Sequence, residues 1–223
     1  MRPLFYTFFF LSTLIYGQQA PAFQNEVLAI GQKYDSIWDA NRETIVFTGS
    51  SSIRMWKDLE TRFPGHQIVN SGFGGSQASD LLQYQQELIT RFNPKKVFIY
   101  EGDNDIVLKK NTKEIIETTH KIISNIKERD SSVQIILISA KPSISRWHLK
   151  RKYKRLNRQF QKIGRKENNV HYADVWGAML DGRKVRQDIF LDDDLHMNTK
   201  GYDLWYAVIL PFMDPGNTDT TTK

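Results

Sequence analysis

Two short stretches hold residues whose types and spacing could carry out a reaction between them. Ile45-Val-Phe-Thr-Gly-Ser-Ser-Ser-Ile-Arg-Met-Trp56 is an apolar run that breaks at Gly49 into three serines and then resumes with helix-compatible residues. A strand that runs into a turn at a helix start presents a hydroxyl beside backbone N–H groups, and these can hold the oxyanion created when the hydroxyl attacks a carbonyl. A turn with a serine helix cap would use the same residues. A serine nucleophile needs a base, and the base needs a partner that fixes its tautomer. Asp193-Asp-Leu-His196 offers both, with an aspartate three residues ahead of a histidine. Of the five histidines, His66 precedes a strand, His120 lies within a helix, His148 starts a basic helix and His171 sits in a strand, whereas His196 stands in an acidic loop next to a helix start. The alternatives are a solvated acidic turn, or a metal site built from Asp192, Asp193, Asp194 and His196, although this is a sparse donor set for zinc.

These residues must be positioned by the elements around them. Gln24 to Trp38 has apolar residues at helical spacing, and Ile45 to Thr48 is the first strand, with a helix beginning near Ile53. Trp56 to Phe63 is short and helical or irregular, and Gln67 to Asn70 is a second strand leading into Gly72-Phe-Gly-Gly75. Asp80 to Phe92 reads as a helix, Lys96 to Tyr100 as a third strand, Asn111 to Glu128 as a helix and Val133 to Ser139 as the most hydrophobic strand. Arg146 to Lys166 is expected to form a long basic helix, Val170 to Val175 a fifth strand, and Thr199 to Met213 the last helix with Thr199 as its N-cap. Five strands alternating with helices argue for an α/β fold, a three-layer αβα sandwich on a mostly parallel five-stranded sheet. The strand-end loops are then the place for chemistry.

Four of those loops carry a resemblance. Gly49-Ser50-Ser51, Asn70-Ser-Gly-Phe-Gly-Gly75, Gly102-Asp-Asn-Asp105 and Asp193-Asp-Leu-His196 resemble, in order, the four blocks of the SGNH hydrolases, also called GDSL-type lipases and esterases. The resemblance covers nearly the whole chain after the first residues and implies the flavodoxin-like fold of that family. Carried over by position, it implies Ser51 as nucleophile, His196 as base and Asp193 as its orienting partner. It places the oxyanion on the backbone N–H groups of Ser51 and Gly75 and on the Asn104 amide. Gly75 has no Cβ to block a ligand, and an amide donates without a charge that needs neutralising. The sequence departs from the family at Ser50, which stands where an aspartate is usual, so three serines compete and register selects Ser51.

Other residues could shape the pocket. Arg54 is expected to pair with Asp103 or Glu101, or to bind an anionic substrate group. Arg146 and Trp147, in the loop after the fourth strand, are candidates for a sugar-stacking rim or lid, though surface packing explains Trp147 equally well.

Composition narrows the class. The 223 residues are 40% hydrophobic and 25% charged, values of a globular domain. Arg2 followed by the apolar run Leu4 to Tyr16 reads as a signal peptide over 1–17, cleaved after Gly17, since ~20 apolar residues are needed to span a bilayer. Ile15 stands where a small residue is preferred before such a cut, so an uncleaved anchor is the alternative. The catalytic domain is expected over 24–213, followed by a disordered tail, 214–223. Without cysteine, the chain can form neither a disulfide nor a cysteine-ligated metal site. The net charge of +6 owes much to Lys150-Arg-Lys-Tyr-Lys-Arg155. That cluster could attract an anionic surface or polymer, but a solvated helix face accounts for it, and no nucleic-acid module accompanies it.

The expected function is a secreted or periplasmic serine esterase that removes a short acyl group, acetyl foremost, from a carbohydrate or other small ester. It needs no cofactor, no nucleic acid and no stable membrane insertion after cleavage. The rivals are a lysophospholipase or lipid acetylhydrolase on the same triad, and a binding module that keeps the fold. A nucleotide-binding domain lacks support, because neither a dinucleotide fingerprint nor a phosphate loop is present.

Overall fold

A computed structural model describes residues 22–213. The expected signal segment 1–17 and tail 214–223 lie outside the described residues. Five parallel strands form the sheet: β1 (Thr44–Gly49), β2 (Gln67–Gly72), β3 (Lys96–Tyr100), β4 (Gln134–Ile138) and β5 (Val170–Ala173), in the order β2-β1-β3-β4-β5. All six residues of β1 are buried, as a central strand covered on both faces requires. Its side chains alternate between two cores. Val46 joins Val69, Val97 and Ile135 beneath one helical layer, while Ile45 and Phe47 join Ile68, Phe98 and Ile136 beneath the other. Phe47 pairs in register with Phe98, and their rings stack 4.2 Å apart.

The first layer includes α1 (Gln24–Asp35), α4 (Ala78–Gln83), α5 (Gln85–Leu88), α7 (Thr112–Arg129) and α8 (Lys150–Lys166); the second includes α2 (Ser51–Arg54), α3 (Leu59–Arg62), α9 (Val175–Ala178) and α10 (Thr199–Ile209). A short α6 (Asp103–Val107) follows β3, and a two-stranded hairpin of β6 (Leu180–Asp181) and β7 (Lys184–Val185) follows α9. Neither the hairpin nor the short helices α6 and α9 were legible as elements in the sequence. The chain crosses from β1 to β2 on one side and returns to β3 on the other. The sheet therefore switches direction between β1 and β3, and its crevice opens at their carboxyl ends.

Several expected boundaries change; α1 ends at Asp35, short of Trp38, and β5 at Ala173, short of Val175. The helix over Asp80 to Phe92 is broken, with non-helical backbone at Tyr84 and Ile89. The Tyr84 hydroxyl reaches Ala22 O at 2.7 Å while the Gln85 amide reaches Ile122 O at 2.8 Å, so adjacent residues answer to different partners. The basic helix starts at Lys150 and not at Arg146, whose side chain is held elsewhere. The helix after β1 starts at Ser51, two residues earlier than expected. The last helix is capped by Asn198, whose side chain accepts from Gly201 N, and Thr199 is its first residue; a 3₁₀ turn over Leu210–Phe212 with Pro211 inside it ends the helix early.

Candidate active site

Gly49 makes the turn out of β1. Its φ of +127° and a Cβ position 2.0 Å from Tyr100 O admit only glycine. The chain then enters α2 under backbone restraint from two neighbouring strands: Ser50 N donates to Tyr100 O at 3.1 Å and Phe73 N to Gly49 O at 2.8 Å. Asn70 donates from its amide to Ile53 O at 2.9 Å, and Tyr202 donates its hydroxyl to Ser52 O at 3.0 Å. Of the three serines, Ser50 and Ser52 are buried at 2% exposure each, and Ser51 faces outward. Ser50, in the place of the family aspartate, makes no side-chain cap to α2; the turn is organised by its backbone, with Ile53 N donating to Ser50 O at 2.9 Å.

Facing Ser51 is the loop before α10. His196 Nε2 lies 3.0 Å from Ser51 Oγ, and His196 Nδ1 lies 2.5 Å from Asp193 Oδ2. The other Asp193 oxygen accepts from Leu195 N at 3.0 Å and His196 N at 2.8 Å, so the aspartate clamps the loop that carries its histidine. Partial burial works against the charged carboxylate, but these hydrogen bonds outweigh it and bring Asp193 down to about 2. This geometry replaces the alternative of a cation held among Asp192, Asp193, Asp194 and His196, because both Asp193 oxygens turn to His196 and the loop backbone. Among the described residues no group of three or more histidines and carboxylates is placed to hold a metal ion.

The third component is at the ends of β2 and β3. Asn104, the second residue of α6, donates from its amide to Ser76 O at 2.8 Å, which sets it beside the Ser76–Gln77 peptide. Gly75 has φ +82° with open space where a Cβ would stand. Among the described residues, neither the Ser51 nor the Gly75 backbone N–H donates to another backbone group. The loop is braced from behind, since Glu26 Oε1 accepts from Gly74 N at 3.0 Å.

The GDSL-like Lipase/Acylhydrolase family model matches residues 35–204, which is most of the chain and contains Ser51, Gly75, Asn104, Asp193 and His196. The chain belongs to this family. No curated protein matches it. Solved structures similar to this GDSL-like chain share its fold at low identity. A Streptococcus pneumoniae protein described as a platelet activating factor is 20% identical with a TM-score of 0.75, covering 85% of this chain and 92% of its own. A GDSL-like lipase from Bacteroides thetaiotaomicron is 20% identical with a TM-score of 0.67, covering 84% and 93%. A catalytic mutant of an acetylxylan esterase from Geobacillus stearothermophilus is 17% identical with a TM-score of 0.64, covering 75% and 92%.

In this GDSL-like chain the three expected pocket residues take other positions. Arg54 pairs with neither Asp103 nor Glu101. It lies over Gly74, half exposed, 3.2 Å from Glu26. Arg146 is not a free rim residue: its guanidinium is 2.6 Å from Asp103 Oδ1 and donates to Asn104 Oδ1 at 3.2 Å. That bond leaves the Asn104 NH₂ as the end turned toward Ser76 and the crevice. Trp147 stacks on Trp176 with ring centroids 5.8 Å apart, so surface packing accounts for it.

Sequence reasoning missed the group that ties the GDSL-like site together. Asp103 is buried and takes hydrogen bonds from Tyr100, Tyr153 and Arg146. Burial would raise its pKa, but Lys141 and Arg146 nearby hold it below the usual value. Lys141 is also buried, which lowers its ammonium to about 8, and it donates to Leu195 O at 2.6 Å inside the Asp–His loop. The segment from Lys141 to Arg146 thus reaches Asn104 at one end and the His196 loop at the other, with Ser145 N donating to Asp194 O at 3.1 Å between them. Glu101 is another buried acid; burial pushes it well above the usual range, and it accepts from the Ser76 hydroxyl at 2.7 Å. A signal for Asp103 existed in the sequence, an acid inside the Gly102–Asp105 block, but its partners Arg146 and Tyr153 lie about 40 to 50 residues away along the chain.

Proposed function

We propose that this GDSL-like chain is an exported serine esterase that removes a short acyl group, acetyl foremost, from a carbohydrate or other small ester. The observation that carries the reading is the alignment Ser51 Oγ to His196 Nε2 at 3.0 Å and His196 Nδ1 to Asp193 Oδ2 at 2.5 Å. Ser51 Oγ attacks the ester carbonyl carbon while His196 Nε2 takes its proton, and Asp193 stabilises the imidazolium. The oxyanion forms among the Ser51 and Gly75 N–H groups and the Asn104 amide. Collapse breaks the bond to the alcohol, which leaves with the proton from His196. Water, deprotonated by His196, then attacks the acyl-Ser51 carbonyl and releases the acid, restoring the hydroxyl.

A short acyl group is supported by what borders the site. On the loops that carry Asn104 and His196 the exposed large apolar side chains are Val107, Leu108 and Leu191, too few to cover a long chain. Among the described residues no helix is long and apolar enough to cross a membrane. The fold shared with an acetylxylan esterase is consistent with an acetylated sugar. The decisive experiment is labelling with a fluorophosphonate, mapping of the adduct, and hydrolysis of p-nitrophenyl esters from acetate to palmitate. An adduct on Ser51 with turnover highest on acetate is expected. Highest turnover on long chains would replace this reading with a lipid hydrolase, and neither adduct nor turnover would leave a binding module.

A further inference from the structure

We propose that α8 is a docking surface for an acidic polysaccharide, the polymer that carries the ester consumed at Ser51. The second half of that statement rests on the esterase reading; the docking surface does not.

The charge of this chain is concentrated. Nine of its 31 lysines and arginines fall within the 17 residues of α8, which contain no acid, and without them the 25 carboxylates would outnumber the remaining cations. Tyr153, Leu156, Phe160 and Ile163 face the core, and all nine cations are exposed. Arg151, Arg155, Arg158, Lys162 and Arg165 follow at steps of four and three, one line on the outer face about 21 Å long. Like charges at this spacing repel and destabilise a helix. Elsewhere on the surface, cations sit beside acids, as in Lys33–Glu60, Arg62–Asp203 and Arg91–Asp35. Among the described residues none of the nine is in an ion pair, and three acids of the adjoining elements already have partners: Glu117 with Lys113, Glu167 with Lys127 and His120, and Asp174 with Gly177 N. An anionic partner would relieve the repulsion.

The line also has a place in the site. Because β4 is followed by a crossover, α8 starts at the carboxyl edge of the sheet, where Ser51 and Asn104 lie, and Arg146, four residues ahead of it, touches Asn104. The cations therefore begin at the active-site rim and run down the flank, a distance that suits a polymer. Its chemistry follows from the neighbours. α8 exposes no large apolar side chain that could enter a bilayer. At its upper end Lys150 lies 4.8 Å over the Trp147 ring, and beside it Lys154, Arg158, Tyr172 and Trp176 line a cleft of about 360 Å³ together with Asp174, whose carboxylate accepts from Gly177 N. Aromatic edges beside cations suit carboxylated sugar rings better than lipid headgroups.

The test uses the intact protein with polygalacturonate, neutral xylan, phosphatidylglycerol vesicles and a single-stranded oligonucleotide. Polygalacturonate should bind, with affinity falling as salt rises, and xylan should not. The variant Arg151→Gln/Arg155→Gln/Arg158→Gln/Lys162→Gln should bind polygalacturonate about tenfold more weakly or worse, with p-nitrophenyl acetate turnover unchanged and melting temperature unchanged or slightly raised. On O-acetylated polygalacturonate its KM should rise by a similar factor while kcat holds. Should the fourfold variant lose its fold, Arg155→Gln/Arg158→Gln carries the same comparison with a smaller change. Equal binding by variant and wild type, equal binding of xylan, or tighter binding of vesicles or oligonucleotide would overturn the docking surface. Polygalacturonate binding by a wild-type protein that turns over no ester would instead end the esterase reading and leave α8 standing.

Discussion

The three serines after Gly49 separate by burial and by partner, and their substitutions should separate in the same way. Ser51→Ala and His196→Ala are each expected to lower p-nitrophenyl acetate hydrolysis by several orders of magnitude, because neither group acts without the other. Ser50→Ala and Ser52→Ala should retain most of it, since both side chains are buried away from His196; a large loss at Ser50 with an unchanged melting temperature would move the nucleophile. Asp193 has a linked acid dependence. Its folded pKa, about 2, lies below the ordinary value of 3.8. Its stabilisation is therefore complete above the unfolded value and is lost as pH falls through the folded one, a window from about 4 to about 2. Because the carboxylate is about half exposed, screening reduces the effect to about 1 kcal/mol. Asp193→Asn should flatten the melting-temperature profile across that window, and a profile parallel to wild type would show that the carboxylate is not held as described.

At the scale of elements, the site is assembled from the ends of β1, β2 and β3, the segment after β4, and the loop before α10. Arg146 reaches Asn104 from the segment after β4, so its contribution to turnover should pass through that amide. Asn104→Ala is expected to cost about 10²- to 10³-fold in kcat. Arg146→Gln should cost about tenfold or more by loosening the amide, and the double variant should be little worse than Asn104→Ala alone. Multiplicative losses in that cycle would reduce Arg146 to a structural ion pair. The turn at Gly49 allows a sharper test, since a Cβ there would collide with the Tyr100 backbone while φ stays positive. Gly49→Ala should therefore destabilise the fold by about 1–3 kcal/mol or more and misplace Ser51, lowering both the melting temperature and turnover.

For the whole molecule, the sheet centre sets stability and the basic helix sets surface charge. Phe98 is fully buried, and its ring stacks on Phe47 across β1 and β3. Phe98→Ala should cost about 3–5 kcal/mol in denaturant unfolding, whereas Leu28→Ala, exposed on α1, should cost little. If export follows the expectation for the first residues, secreted material should begin near Gln18, which intact mass decides; retention of Met1 to Gly17 on a membrane-bound product would reverse it.

The local code determined much of this. Continuous apolar runs at Ile45, Lys96 and Val133 fall on central strands because a strand buried on both faces needs no polar alternation. The spacing between strands and helices was enough for the layered α/β class. The Ser, Gly, Asn and Asp–His blocks were legible because each lies in one short loop whose residues are neighbours in sequence. Burial and partner choice were not legible. Which serine faces out depends on how Gly49 packs on Tyr100, and Arg54 was free in sequence to meet Asp103 until α1 brought Glu26 to it. Lys141 and Tyr153 carry no local pattern, and nothing local names the partners of Asp103 and Arg146. Their charges are tolerable inside the protein only because the crossovers after β3 and β4 bring them together, and an opposite charge at hydrogen-bond distance, which offsets the cost of burying an ion, is a product of tertiary structure.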